Sequence, residues 1–381
     1  MRDAVIVEAV RTPVGKRGGG LSGVHPADLS AHVLTALALR SGLDPALVDD
    51  VVWGCVGQAG EQTADIARTS VLAAGWPESV PGVTVDRQCG SSQQAVHFAA
   101  AGVVSGQYDV VVAGGVESMS RVPMGSTAMG QDPYGPRYLA RYGAYPNQGI
   151  GAEMIARKWG FGRTRLDEFS LGSHEKAAAA QDEGRFDAQI APVNLDDGTV
   201  VGKDEGIRRG GTLASLAGLR TAFDENGTIT AGNSSQISDG SAALLITTTA
   251  KAAELGLRPL ARVHTAVLAA GDPVIMLTAP IEATAKALAR SGLAIGEIGA
   301  FEVNEAFAPV PLAWLADLGA DVKALNPNGG AIALGHPLGG SGARLMTTLV
   351  HHMRDNGIRY GLQTMCEGGG QANATILELL G

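Results

Sequence analysis

The chain is poor in the features that mark secreted, membrane-spanning and nucleic-acid-binding proteins. Cysteine is scarce: Cys55, Cys89 and Cys366 are the three in 381 residues, with no Cys-x-x-Cys and no His/Cys spacing suited to a metal. An odd, scattered set excludes a disulfide scaffold, leaves no metal expected, and points to reduced thiols in the cytoplasm. No apolar run approaches the ~18 residues that a membrane span requires. The apolar opening AVIVEAV is short, is broken by Glu8 and leads into Arg-Thr-Pro, so no secretory leader is expected. The final ELLG is not a peroxisomal signal. Cations are outnumbered, 29 against 38 acidic residues for a net charge of −9, which argues against nucleic acid or an anionic membrane as partner. There is no G-x-x-x-x-G-K-[ST] loop and no G-x-G-x-x-G following a strand, so neither common nucleotide fingerprint is present.

What remains is 45% hydrophobic with 53 glycines, a composition suited to an α/β enzyme rich in tight turns. The length calls for two or three domains or pseudo-domains. Over residues 1–118, apolar strands at Ala4–Val10, Val51–Trp53 and Val110–Ala113 alternate with helical patterns at Ala27–Arg40 and Asp65–Ala74. Continuous apolar strands separated by helices predict a mostly parallel sheet covered on both faces.

One stretch in this half is organised for chemistry. Val83–Asp86 alternates as a short strand, and from Ser91 the residues Ala95, Phe98, Ala99, Gly102 and Val103 recur at helical spacing with one buried stripe. Cys89 falls at the junction. A thiol there meets unpaired N–H groups and the positive end of the helix dipole, which predicts a favoured thiolate; Gly90, Ser91 and Ser92 supply the turn and the cap. On this pattern alone, a small buried apolar cysteine is an equal reading.

Composition shifts near residue 119. Between Tyr134 and Tyr145 lie four of the six tyrosines, with Arg137 and Arg141 among glycines and prolines. Residues 119–231 hold 13 basic and 14 acidic residues, so this insertion is nearly neutral in an acidic chain; its arginines can meet an anionic ligand, although on charge alone a solvated insertion with ordinary surface charge is the better reading. It contains helices at Ala152–Trp159 and Arg165–Glu183, and a strand at Ala243–Thr247 returns to the first core. From about 253 the alternation restarts, with strands at Pro259–Ala266 and Ala300–Val303 and helices at Pro280–Ser291 and Pro311–Leu318. His336 precedes a helix (Gly340–Arg354), then Gly357, then a strand reaching Cys366 and three glycines; Cys89 likewise precedes a helix, Gly106 and a strand reaching Gly114-Gly115. The echo hints at a duplicated half. His351 and His352 are adjacent on the last helix, cannot share one face, and read as surface residues.

Four segments carry chemistry together: DRQCGSS at 86–92, NEAFA at 304–308, GHP at 335–337 and CEGGG at 366–370. With VIVEAVRTPVG at the start, GGVESMS at 114–120 and AGNSSQISDGSAA at 231–243, the chain resembles the thiolase family over essentially its whole length. The resemblance implies the thiolase fold: two similar α/β halves in five αβαβα layers, the first formed by 1–118 plus about 232–252 and the second by 253–381, with 119–231 as an inserted loop domain that binds CoA. It implies an acyl-CoA:acetyl-CoA C-acyltransferase that cleaves a 3-ketoacyl-CoA thiolytically, or runs the reverse condensation, with CoA as a substrate and no cofactor.

Chemistry assigns the same roles. Cys89 is the nucleophile because attack gives a thioester equivalent to the CoA ester it replaces. His336 is the base for its proton, and Cys366 the acid that protonates the departing enolate. Two oxyanions need donors. By the resemblance, one site is His336 with a water held by Asn304, and the other is the backbone N–H groups of Cys89 and Gly368. Ser235 contacts the pantetheine arm, Phe307 joins the substrate-binding set, and arginines of 119–231 meet the nucleotide phosphates. The resemblance also implies a homodimer or homotetramer. Asp86 stands where many members have Asn, and Asn147-Gln148 where some short-chain biosynthetic members have His-Met, which argues against an acetoacetyl-CoA preference; the Glu-Ser-Met-Ser run at 117–120 and the Tyr-rich insertion look closer to degradative 3-ketoacyl-CoA thiolases of fatty-acid β-oxidation. The alternatives are a short-chain acetyl-CoA acetyltransferase, a ketosynthase-like condensing enzyme, against which Cys366 argues, and a silent CoA-ester-binding protein.

Overall fold

The computed structural model describes residues 2–143 and 145–381. Its strands are β1 (Val5–Arg11), β2 (Asp50–Gly54), β3 (Gly82–Val85), β4 (Val110–Ser118), β5 (Ser238–Thr247), β6 (Ala261–Ala270), β7 (Ala300–Val303), β8 (Tyr360–Glu367) and β9 (Gln371–Leu379). The main helices are α1 (Pro26–Ser41), α2 (Ile66–Ala73), α3 (Ser91–Ser105), α4 (Gly135–Tyr142), α5 (Gln148–Trp159), α6 (Arg163–Asp182), α7 (Ala279–Ser291), α8 (Pro309–Leu318) and α9 (Leu338–Asn356).

The strands run β7-β8-β9-β6-β1-β5-β4-β2-β3, with a two-residue strand at Gly15–Lys16 paired to β5 off this path. The order hides a repeat. In the first half, β3 and β4 flank β2 in parallel, β4 pairs antiparallel with β5, and β5 with β1. In the second half, a bridge at Leu325 and β8 flank β7 in parallel, β8 pairs antiparallel with β9, and β9 with β6. The first strands of the halves, β1 and β6, then pair antiparallel with each other over two residue pairs, Val5 with Arg262 and Ile6 with Ala261. A twofold operator relating the halves produces this arrangement.

Burial sorts the elements into five layers. Helices α1 and α2 bury Leu29, Val33, Leu34, Ile66 and Val71 on the outer face of the first half-sheet. Between the half-sheets lie α3 and α9, where Ala95, Val96, Ala99 and Val103 meet Ala343, Met346 and Val350. Helices α7 and α8 cover the far face through Ala283, Ala287 and Trp314. The two central helices touch at their N-terminal turns: Ala343 N–H donates to Ser92 Oγ at 2.8 Å. The insertion is tied back to β1 by Arg11, which bonds Asp204 through two nitrogens at 2.7 and 2.9 Å and Gln189 at 2.8 Å, with both partners of the ion pair at 0% exposure.

The sheet is mixed rather than mostly parallel, because β5, β9, β1 and β6 pair antiparallel with their neighbours and only β2, β3, β4, β7 and β8 make parallel strand pairs. Four local expectations also need correction. Gly114-Gly115 does not end its strand: β4 runs through it to Ser118 because Trp53 and the backbone of Gly339 occupy the space that Cβ atoms would fill. Phe98 lies outside the buried stripe and is 48% exposed. His351 is not a surface residue; it is 3% exposed, and its Nε2 lies 3.1 Å from Ala9 O, because α9 is a central helix with neighbours on every side. The last strand, β9, lies beyond the pattern read in sequence and completes the second half-sheet.

Candidate active site

The turn after β3 is built to present Cys89. Asp86 Oδ1 accepts from Gln88 N–H at 2.6 Å, and Gly90 N–H and Ser91 N–H bond back to Arg87 O and Gln88 O. The turn closes only because Gln88 takes the left-handed region at φ 49°, a conformation that costs a non-glycine residue about 1–3 kcal/mol and concentrates at functional sites. Gly90 is the N-cap of α3, so Cys89 sits just outside the helix. Here the expected thiolate is corrected: burial, then Glu367, with lesser pushes from Glu117 and Asp86, drives the thiol up to about 12. Cys89 rests protonated and requires a base.

His336 stands two residues before α9. Its Nδ1 is 2.6 Å from Ser341 Oγ, and the Ser341 hydroxyl donates to Pro337 O at 2.9 Å. A hydroxyl whose hydrogen is committed accepts at its oxygen, so the network assigns the proton to Nδ1 and leaves Nε2 with its lone pair. Nε2 faces Asn304 Nδ2 at 3.4 Å. Burial, with Arg344 nearby, holds the imidazole down at about 3, so it is neutral.

Asn304 follows β7 on a loop fixed from several sides. Its N–H donates to Thr364 O at 3.1 Å, and the neighbouring Glu305 carboxylate accepts from Ser173 Oγ (2.6 Å), Asn326 Nδ2 (2.8 Å) and Ile332 N–H (3.2 Å). Asn304 Oδ1 is buried without a hydrogen-bond partner among the described residues. Cys366, near the end of β8, is 1% exposed and packs with Phe307 and Ile332. Burial, then Cys89 and Glu367, raises its thiol well above the usual range, which places the two sulfur atoms in one electrostatic neighbourhood. Gly368 lies against Gln88: a Cβ there would fall 2.9 Å from Gln88 Oε1, so a larger residue would require that side chain to shift.

Two openings lie around this region; the first reaches Cys89, the second reaches none of these groups, and neither is lined by His336, Asn304 or Cys366. A pocket of about 490 Å³ exposes Cys89 and is walled by Leu338, Gln148, Met124, Ala128 and Tyr134. Asn147 is occupied in capping α5. Tyr134 begins an aromatic ladder through Tyr138 and Tyr142, with ring centres 5.0 and 4.8 Å apart. A second groove, of about 570 Å³, holds Ser235 with Lys16, Arg17, Arg208 and Glu205. Its cations come from the N-terminal segment as well as from the insertion, which extends the expectation of arginines from 119–231 alone. Ser235 N–H bonds Ala306 O at 2.9 Å, and Phe307 meets Phe223 edge-on at 5.9 Å.

Sequence reading missed Ser341, which orients His336, and Glu117. The Glu117 carboxylate accepts from Val56 N–H (3.0 Å), Gly57 N–H (2.9 Å), Gln62 Nε2 (2.7 Å) and Gly339 N–H (2.8 Å), joining a wall of the Cys89 pocket to the start of α9. The available signal was an acidic residue inside the otherwise apolar run VVVAGGVES.

Fold and site together define a class: doubled α/β proteins whose paired central helices carry a cysteine at one foot and a histidine at the other. The chain belongs to the thiolase family and is an acyltransferase; residues 4–250 match the family model "Thiolase, N-terminal domain" and residues 257–379 "Thiolase, C-terminal domain". It is 50% identical to a steroid 3-ketoacyl-CoA thiolase of Mycobacterium tuberculosis, over 100% of this chain and 95% of that protein. It is 46% identical to a 3-ketoacyl-CoA thiolase of Shigella dysenteriae, over 99% and 100%. A crystal structure of the Bacillus anthracis acetyl-CoA acetyltransferase superposes with a TM-score of 0.92 at 38% identity, covering 100% of this chain and 99% of that one.

Proposed function

We propose that the chain is a degradative 3-ketoacyl-CoA thiolase acting through a Cys89 acyl-enzyme. The observation that carries the reading is the His336 tautomer: with Nδ1–H held by Ser341, the neutral Nε2 is free to take the proton that the buried Cys89 thiol retains. Cys89 Sγ bonds to C3 of the 3-ketoacyl group as its proton passes to Nε2. The C2–C3 bond then breaks, and the enolate of acetyl-CoA takes a proton at C2 from Cys366. Incoming CoA thiol gives its proton to the Cys366 thiolate and attacks the acyl-enzyme. His336 returns its proton to the leaving Cys89 sulfur, so both cysteines and the imidazole end as they began. The negative oxygens are met by His336 with a water on Asn304, and by the N–H groups of Cys89 and Gly368. Acyl transfer of this kind needs neither a metal nor a redox cofactor.

CoA lies along the Ser235 groove with its phosphates toward Arg17, Lys16 and Arg208. The acyl group occupies the pocket behind Met124, Ala128 and Tyr134, whose volume favours groups larger than acetyl, including ring-bearing ones, over a short-chain acetyltransferase. The free cysteines fit a reducing cytoplasm, and a homodimer or homotetramer is the assembly to test by light scattering. The deciding experiment is thiolysis of a 3-ketoacyl-CoA panel by CoA, followed through the enolate absorbance and compared as kcat/KM. Turnover surviving in Cys89→Ala would overturn the reading.

A further inference from the structure

Directly beneath the nucleophile lies a carboxyl group that this mechanism does not use. A Cβ on Gly90 would fall 1.9 Å from Glu367 Oε1 and 2.1 Å from Asn373 Oδ1, so both oxygens press against the N-cap of α3 from β8 and β9. Glu367 is 0% exposed, and no side chain bonds either of its oxygens among the described residues, the Asn373 backbone N–H being the one donor that pulls on the carboxyl; Asn373 Oδ1 has no partner. The Asn373 amide is oriented by its own Nδ2, which donates to Gln94 Oε1 at 3.4 Å, so its oxygen is the atom turned toward the carboxyl. Two acceptors crowded against one glycine are stable when a hydrogen lies between them.

We propose that Glu367 is a positioning residue that acts on Cys89 by holding its own proton, donated to Asn373 Oδ1 beneath Gly90, so that no negative charge opposes deprotonation of the nucleophile. The inference rests on Cys89 being the nucleophile. The surroundings agree. The charged and titratable groups facing the carboxyl are Asp86, Arg87 and Cys89 from the turn before α3 and Cys366 on its own strand; β9 offers the uncharged Gln371 and Asn373. Arg87, the cation among them, bonds Gln371 Oε1 at 2.8 Å and forms no ion pair with Glu367. Burial outweighs its pull and moves the carboxyl up to about 8. Above that pH the carboxylate appears and pushes the Cys89 thiol higher.

The test is the rate of Cys89 alkylation by iodoacetamide, without substrate, from about pH 6 to about pH 10, with the adduct located by peptide mass. In the wild type, log rate rises with pH and bends downward near pH 8. In Glu367→Gln the bend disappears, and above it the variant reacts about tenfold faster, as removal of one nearby charge predicts. Glu302 is also buried and moved up to about 8, but it faces Arg344, Glu305 and Lys176. A bend that survives Glu367→Gln, or a wild type without one, overturns the proposal. Should that variant fail to fold, Arg87→Gln reads the same coupling: loss of the cation moves the bend to higher pH, and an unmoved bend is refuting. Failure of the thiolase reading appears instead as turnover in Cys89→Ala, which alkylation does not measure.

Discussion

Replacing Ser341 by alanine removes the atom that fixes the proton on His336. The hydroxyl is 2.6 Å from Nδ1 and is itself anchored to Pro337 O, so no other side chain takes over. Two effects follow. In the resting enzyme, a buried N–H loses its acceptor, a penalty of about 1–3 kcal/mol. In the acylation step the imidazole becomes charged, and a hydrogen bond to a charged group is worth about 1.5–3 kcal/mol. If that bond is what stabilises the imidazolium, kcat falls by about 10- to 150-fold, while KM for the CoA ester changes little because Ser341 is buried and lines neither opening. The assay is single-turnover acylation of Cys89 by a 3-ketoacyl-CoA, read beside thermal unfolding. A variant with lowered Tm and acylation within twofold of wild type would refute the argument and leave Ser341 with a packing role alone.

Cys366→Ala should still be acylated at Cys89 by a simple acyl-CoA but should lose carbon–carbon cleavage by at least about 100-fold, the usual worth of a positioned acid; normal cleavage would remove Cys366 from the chemistry. Arg11→Met leaves the Asp204 carboxylate buried without its partner, and urea unfolding should report a loss of about 3–5 kcal/mol; a loss below about 1 kcal/mol would contradict the burial seen here. His351 is held down at about 4 by burial, whereas the unfolded chain takes up the proton near pH 6.5, so the native state loses stability as pH falls between those values and is unaffected above them. His351→Gln should flatten the acid limb of stability by about 1.4 kcal/mol per pH unit; an unchanged slope would show that His351 titrates normally.

The elements with strong periodicity were legible: β1, α1, β7 and α7 lie within about two residues of their expected bounds, because one apolar face dictates each. The layers were harder. Phe98 and His351 were misassigned because the central helices break the apolar-in, polar-out rule: α3 leaves Phe98 48% exposed, while α9 buries Arg344, Thr347, Thr348 and His351. The positions of Cys89, His336 and Cys366 were readable from short motifs, yet their protonation states were not. The helix-dipole argument for a Cys89 thiolate considered one local field, whereas burial decides the outcome and Glu367, 278 positions away in the chain, adds to it once ionised. Ser341 and Glu117 share this character, since their roles are hydrogen bonds that no spacing rule encodes.

The repeated topology explains why the site lies where it does. In each half, the last residue pair between the second and fourth strands falls at corresponding positions, Gly54 with Gly115 and Val303 with Thr364. One residue further along the second strand of each half stand Cys55 and Asn304; two further along the fourth stand Glu117 and Cys366. The feet of the central helices supply Cys89 and His336, and those helices meet at their N-terminal turns, so a twofold operator brings all three pairs of positions to one place. Only the side chains break the symmetry. In the first half the strand end carries Glu117, whose four hydrogen bonds brace the pocket wall and the first turn of α9. In the second it carries a thiol with no such task. On the proposed mechanism, a symmetric pair of glutamates would brace both walls and leave the enolate without an acid, and a symmetric pair of cysteines would leave the N–H groups of Val56, Gly57 and Gly339 unanswered by Glu117. The doubled fold supplies coincident positions, and the difference between the halves lets Glu117 hold the frame while Cys366, at the matching position, is left for the proposed chemistry.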